Sequence, residues 1–325
     1  MRRIDVFNGD ADGICALHQL RLAEPADSEL VTGVKRDIAL LARVQAAPGD
    51  QVTVLDVSLD SNRAPLLRLL AAGARVRYFD HHYAGTMPAG ESLEAHIDTA
   101  PDVCTSLLVD RHLGGRFRPW AIAAAFGDGL KSRATCLAQE GGYPADQTEL
   151  LARLGECLNY NAYGESVADL WFAPDELYRR VHAFADPFAF VHESPDFVRL
   201  EAGYREDLAR AESLRPLSET AAGAVVLLPA AAWARRVIGV YANRLAQARP
   251  DRAHALLSAH SGGGYTVSVR APVARPTGAD ALCRRFPGGG GRQAAAGING
   301  LAEADLEAFM AAFAESFGDV PGNLA

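Results

Sequence analysis

The sequence predicts an α/β protein built as two lobes, an N-terminal parallel-sheet domain and a smaller C-terminal α/β domain, with a cleft between them. Three observations carry this. A chain of 325 residues suits two domains of ordinary size. Its first ~130 residues repeat one unit, a short β-branched or aromatic run, an acidic turn and a longer helical stretch, which is the pattern of a parallel sheet. After a charged helical segment the alternation starts again over the last ~100 residues. The domains are expected at 1–195 and 221–325, joined by a linker helix at 196–220.

Residues 4–7 read as the first strand and 14–22 as the start of a helix. A second strand at 52–55 closes on Asp56, followed by a helix at 64–72 that Gly73 would stop. A third strand at 76–79 closes on Asp80, and an apolar run at 121–126 leads into Gly127 and Asp128. Residues 150–158 and 175–184 look helical, and 197–214 places sparse apolar residues among charges, as a mostly solvated helix does. The second domain reads as a strand at 224–228, a helix at 234–248, hairpin arms at 255–259 and 265–269, a glycine-rich turn at 288–291 and a final helix at 305–317.

Composition narrows the function. An apolar content of 49% with 22% charged residues describes a globular chain that can bury real cores. No apolar run reaches the ~20 residues of a membrane span and the chain opens without a signal-peptide core, so a cytoplasmic protein without a membrane partner is expected. The five cysteines stand far apart with no CxxC spacing, against both a disulfide framework and a thiolate zinc site. A net charge of −8 disfavours a grip on long duplex nucleic acid, which needs a basic face. It leaves room for a small phosphorylated ligand held by a few local cations. All but two of the 32 basic residues are arginine, the exceptions being Lys35 and Lys131, and coding bias is the bland explanation.

In open parallel sheets the reactive site lies at the carboxyl ends of the strands. Here those ends carry metal-ligand residue types: Asn8-Gly9-Asp10-Ala11-Asp12-Gly13 after the first strand, Asp56 after the second, Asp80-His81-His82 after the third, and Asp128 after the later apolar run. One aspartate would mean little, because Asp is a common turn former and helix cap. Four successive elements ending this way point to a centre. Hard divalent cations take carboxylate oxygens, a mixed carboxylate and imidazole set suits Mn²⁺, and two ions about 3.5–4 Å apart can activate water for attack on phosphorus.

These segments resemble motifs I to IV of the DHH phosphoesterase superfamily, which includes RecJ exonucleases, nanoRNases and cyclic-dinucleotide phosphodiesterases. The stretch 289–297, Gly-Gly-Gly-Arg-Gln-Ala-Ala-Ala-Gly, resembles the GGGHxxAAG loop of the DHH-associated substrate-binding domain. The resemblance covers essentially the whole chain. It implies Asp10, Asp12, Asp56, His81 and Asp128 as metal ligands for two Mn²⁺ ions, with Mg²⁺ or Co²⁺ as alternatives and Asp56 as the bridge. It implies that Asp80 orients His81 and that His82 faces the phosphate, where it stabilises charge or protonates the leaving oxygen. Arg270, Gly289, Gly290, Gly291 and Arg292 would meet the substrate. Two positions depart from the family pattern. Val6 stands where smaller members carry a histidine, which leaves Asn8 or water to complete one ion's shell, and Arg292 replaces the loop histidine, which suits a terminal phosphate.

The expectation is therefore a metal-dependent hydrolase acting on short oligonucleotides, as a nanoRNase-like exonuclease does, with adenosine bisphosphate as a further substrate. A cyclic-dinucleotide phosphodiesterase, a polyphosphate or pyrophosphate hydrolase and a non-catalytic nucleotide-sensing module are the alternatives, and a homodimer is left open. Several readings stay two-sided. Arg270 is a substrate cation or an exposed strand-end charge, and Lys131 and Arg133 are substrate cations or a solvated face. The cluster 159–164, Asn-Tyr-Asn-Ala-Tyr-Gly, lines the cleft or is a packed loop. Cys104-Thr105-Ser106 offers amides to a phosphate or simply caps a helix.

Overall fold

The computed structural model describes residues 1–318. The chain divides into two compact units, Met1–Gly203 and Tyr204–Ala325, and the boundary falls inside one helix.

In the first unit the order is β1 (Arg3–Phe7), α1 (Ala11–Ala23), β2 (Glu29–Val31), β3 (Gln51–Leu55), α2 (Arg63–Ala71), β4 (Arg75–Asp80) and β5 (Leu93–Ile97). Seven helices follow: α3 (Thr105–His112), α4 (Arg118–Gly127), α5 (Lys131–Glu140), α6 (Ala145–Asn161), α7 (Pro174–His182), α8 (Pro187–Glu193) and α9 (Pro195–Glu212), which carries the boundary. The five strands are all parallel, in the order β2-β1-β3-β4-β5. β1, β3 and β4 are buried because their runs of Val, Ile, Tyr and Phe face helices on both sides. The direction of winding reverses between β1 and β3, and such switch points open a crevice at the carboxyl edge. α1 is clamped to the sheet by a buried pair in which Arg21 Nε donates to Asp5 Oδ2 at 2.7 Å.

Register places the chemistry. Phe7 pairs with Leu55, and Leu55 with Phe79, so the next residues, Asn8, Asp56 and Asp80, line up along one sheet edge. The apolar run 121–126 belongs to helix α4, which is buried all round its inner turns. Strand β5 carries no sequence signal, since its run Leu-Glu-Ala-His-Ile is half polar, as befits an edge strand.

The second unit contains β6 (Ser218–Glu219), β7 (Gly223–Leu228), α10 (Ala232–Ala248), β8 (Ala253–Ala259), β9 (Tyr265–Arg270), α11 (Ala279–Cys283), β10 (Gly289–Gly291), β11 (Ala295–Leu301) and α12 (Leu306–Phe317). Its sheet runs β10-β11-β9-β8-β7-β6, with only β7 and β8 parallel, joined through α10. One face packs under α11 and α12 through Val225, Leu257, Val267, Ile298, Phe309 and Phe313. The glycine-rich stretch expected as a turn is strand β10: Gly289, Gly290 and Gly291 pair with Ile298, Gly297 and Ala296. Glycine is required there, because a Cβ on Gly289 would lie 1.9 Å from the Cys283 oxygen. Among the described residues no helix is long and apolar enough to cross a membrane.

Candidate metal centre

The first carboxylates stand at a helix start. Asp10 is the N-cap of α1, its Oδ1 accepting from the amides of Asp12 at 3.0 Å and Gly13 at 3.1 Å. Gly13 allows this approach, since a Cβ would meet the Asn8 oxygen at 2.1 Å. Asp12 lies one residue inside the helix and faces α3. Its Oδ2 accepts from Thr105 N and its Oδ1 from Ser106 N, both at 2.7 Å, so α1 caps the amino end of α3. Of the amides of 104–106 that the sequence offers to a phosphate, those of Thr105 and Ser106 are thus taken by Asp12.

Asp56 follows β3 with φ of +58°, the one non-glycine residue among those described in the left-handed region. Such strain persists where the surroundings hold it, as they often do at functional sites. Its Oδ1 accepts from the Thr105 hydroxyl at 3.2 Å and lies 3.4 Å from His81 Nε2. His81 Nδ1 lies 3.0 Å from the Val103 oxygen, a contact that puts the proton on Nδ1 and leaves the Nε2 lone pair facing Asp56 and Asp128, whose Oδ2 is 4.0 Å away.

The expected role of Asp80 is corrected. Its Oδ1 accepts from the His81 amide at 2.9 Å but meets the ring of His82, at 2.7 Å from Nδ1, while the His81 ring is aimed by Val103. The reason is geometric: Asp80 ends β4, and His82, two residues on, turns back over it. Asp128 caps the C-terminus of α4. It is carried to the cluster by a close helix crossing, where a Cβ on Gly155 would lie 1.9 Å from the Ala123 oxygen and one on Gly127 2.6 Å from the Ala11 Cβ.

Lys35 completes the centre, and sequence reasoning missed it. Its Nζ contacts Asp10 Oδ2, lies 3.6 Å from Asp128 Oδ1 and donates to Asn159 Oδ1 at 3.1 Å. The available signal was its rarity as a lysine in an arginine-rich chain. Lys131 instead stands half-exposed, 3.8 Å from Glu156. Asn8 uses both ends of its amide on the main chain, accepting from Asp10 N at 3.3 Å and donating to Lys35 O at 3.4 Å, and Val6 is buried in the core of the first unit.

Electrostatics follow from crowding. Burial raises Asp56 well above the usual carboxylate range, and neighbouring Asp10 and Asp12 raise it further. Asp128 is raised too, chiefly by burial. Burial alone would also raise Asp10, but Lys35 and the Gly13 amide reverse the shift and hold it below the ordinary value. Burial is the largest influence on His82 and disfavours its protonated form, yet the hydrogen bond to Asp80 and the negative charges of Asp80 and Asp56 together outweigh it and raise the pKa. Two donor groups, Asp56, His81 and His82 on one side and Asp12, His81 and Asp128 on the other, each bring their atoms within 4.8 Å of one another. Two carboxylates with one imidazole, the set of Asp12, His81 and Asp128, fit a divalent cation such as Mn²⁺ or Mg²⁺, and the set of Asp56 with two imidazoles fits Mn²⁺ better than Mg²⁺. Carboxylates pushed toward protonation are groups that a cation would relieve.

In the second unit Arg270 ends β9, where its Nε donates to Asn243 Oδ1 at 2.7 Å. Ala295 pairs with Arg270, and Arg292 and Ala295 close the turn between β10 and β11, Arg292 N donating to Ala295 O at 2.9 Å. The sheet therefore brings Arg270 and Arg292 to one end. The cluster 159–164 is packed: Asn161 accepts from Trp171 N and Phe172 N, and Ala162 O accepts from Lys35 N.

No protein-family model and no curated protein matches the chain. Solved structures do. RecJ from Thermus thermophilus, in complex with Mn²⁺, is similar over 98% of this chain and 53% of its own, with TM-score 0.63 and 23% identity. This chain thus spans about half the length of that RecJ. A second exonuclease RecJ, bound to manganese, is similar over 97% of this chain and 91% of its own, with TM-score 0.55 and 21% identity. The pGpG-specific phosphodiesterase PggH from Vibrio cholerae matches over 96% and 97%, with TM-score 0.57 and 15% identity. The chain therefore has the DHH fold that its motifs resemble.

Proposed function

We propose that the chain is a divalent-metal-dependent phosphoester hydrolase acting on short oligonucleotides or small phosphorylated nucleotides. The observation that carries this reading is the convergence of Asp12, Asp56 and Asp128 on His81, whose Nε2 is left bare by the Val103 hydrogen bond. Manganese is the proposed ion, and the resemblance of the motifs to the DHH superfamily implies two. A divalent cation at such a centre polarises a phosphoryl oxygen and lowers the pKa of an attacking water.

The residues of the chain supply the rest. His82 is held by Asp80 through Nδ1 and is half-exposed, so its Nε2 can carry a proton toward the leaving oxygen or face the charge that builds on the phosphoryl group. Asp80 fixes the ring in that orientation. Arg270 and Arg292, at one end of the second sheet, are proposed to receive a terminal phosphate, for which a guanidinium fork is suited. The formal charge of −8 supports a short substrate over a long one, as does the likeness to a phosphodiesterase named for the dinucleotide pGpG. A cytoplasmic setting fits the same reading.

The test is a Mn²⁺ assay over dinucleotides, cyclic dinucleotides, adenosine bisphosphate, polyphosphate and a 30-mer single strand, with products identified by mass. Chelator-sensitive cleavage of linear dinucleotides is expected, lost by more than about 100-fold in Asp56→Ala. Faster cleavage of the 30-mer than of a dinucleotide would overturn the short-substrate reading, and unchanged hydrolysis in Asp56→Ala would overturn the centre itself.

A further inference from the structure

Among the five aspartate and histidine ligands implied by the motifs, Asp10 alone belongs to neither donor group around His81. Both its oxygens are engaged: Oδ1 caps α1, and Oδ2 meets the Lys35 ammonium. Asp128, which is in a donor group, has its other oxygen 3.6 Å from the same ammonium. A positive charge thus already stands where two of the carboxylates converge.

Lys35 is built in. Its amide donates to Ala162 O at 3.0 Å, its carbonyl accepts from Asn8 Nδ2, and its Nζ donates to Asn159 Oδ1 at 3.1 Å. The Tyr163 ring lies under the ammonium, with its centroid 5.8 Å away. Anchors from the β1–α1 turn and from the end of α6 therefore fix both the main chain and the tip of this side chain. The choice of amino acid matches the task. An ammonium is a compact charge with three donors that can be shared among Asp10, Asp128 and Asn159, as a small ion would be shared, whereas a guanidinium presents a planar fork. In a chain that uses arginine for all but two of its basic residues, this position holds lysine.

We propose that the Lys35 ammonium replaces one of the two divalent ions that the motifs imply, so that the chain binds a single divalent ion, centred on His81 Nε2. The inference rests on the metal-dependent reading above and sharpens it: Asp10 serves the lysine, and Asp12, Asp56 and Asp128 with His81 serve the ion. In Lys35→Met, which keeps length without charge, Asp10 and Asp128 regain their need for a cation and a second ion enters.

The test is metal content rather than turnover. Wild-type protein is loaded with Mn²⁺, desalted and measured by inductively coupled plasma mass spectrometry, with the electron paramagnetic resonance spectrum recorded alongside. One Mn²⁺ per chain and the six-line signal of an isolated ion are expected. Folded Lys35→Met, checked by circular dichroism, should hold two and show an exchange-coupled spectrum. Two coupled ions in the wild type would overturn this inference and leave the metal-dependent reading standing, a result that needs no variant. A folded Lys35→Met that still holds one ion would overturn it as well. No bound Mn²⁺ in either protein would overturn the metal-dependent reading, and this inference with it.

Discussion

The ring of His81 and the carbonyl of Val103 meet at 3.0 Å, and this contact decides which imidazole nitrogen the centre can use. Nδ1 is committed to a main-chain oxygen at the approach to α3. Nε2 is left as a lone pair among Asp56 and Asp128, the orientation that metal-bound histidines usually show. The neighbouring His82 is held in the same sense but by a different partner, its Nδ1 meeting the Asp80 carboxylate rather than a main-chain oxygen.

The two histidines should therefore separate in their effects. His81 belongs to both donor groups and His82 to one. His81→Ala is expected to weaken Mn²⁺ binding by more than about 100-fold, and His82→Ala by less than about 10-fold with a larger loss in turnover. Isothermal titration calorimetry and steady-state kinetics check this, and equal losses of affinity in the two variants would contradict the division of roles.

Asp56 is raised well above the carboxylate range by burial and by Asp10 and Asp12. Below its raised pKa the carboxyl carries a proton that an incoming cation must displace. Binding should then release a proton, and apparent Mn²⁺ affinity should rise with pH through that region, approaching about tenfold per unit for one proton. Calorimetry in buffers of different ionisation enthalpy reads the proton directly. Binding with no proton release would show that Asp56 is already ionised.

The crossing of α4 and α6 brings Asp128 to the centre, and Gly155 makes the crossing possible. Gly155→Ala would push a methyl group against the Ala123 oxygen and should cost about 1–3 kcal/mol by urea denaturation, with weaker Mn²⁺ binding as Asp128 moves. Gly262→Ala, where nothing lies within 4 Å, is the control and should change neither. A neutral Gly155→Ala would mean that the helices separate freely.

Away from the centre, His18 is buried against Trp120, with its Nδ1 3.0 Å from that of His182. Burial pushes it down to about 3 from 6.5, and His182 adds to the shift. Because the folded value is depressed, the unfolded chain binds the extra proton: stability is full above pH 6.5 and falls as the pH drops toward 3. Between about pH 6.5 and 5 this one group should remove about 1.5 kcal/mol. His18→Phe should flatten that part of the curve, and a slope unchanged in the variant would assign the loss elsewhere.

Much of the candidate site was legible because its residues sit in short contiguous motifs at strand ends, where strand periodicity and the parallel-sheet pattern predict their location. What was not legible lay in long-range pairings. The role of Asp80 depends on how the turn after β4 folds back, which places its oxygen on the His82 ring. The glycine run 289–291 becomes a strand only because β11 lies beside it, and β11 itself, Ala-Ala-Gly-Ile-Asn-Gly-Leu, has weak strand propensity. The cluster 159–164 serves as a packed support for Lys35, which no local pattern could indicate.

The sequence by itself determined the α/β class, the carboxylates at the strand ends and the histidine pair, since these follow from periodicities of two and 3.6 and from residue type within a few positions. Tertiary structure decided how they are used: that Asp12 caps α3, that Val103 sets the tautomer of His81, and that Lys35, 25 residues from Asp10, sets its ammonium among the acids. Those choices arise from side chains brought together across distant segments, where burial makes each charge demand a partner and the fold alone determines which partner is in reach.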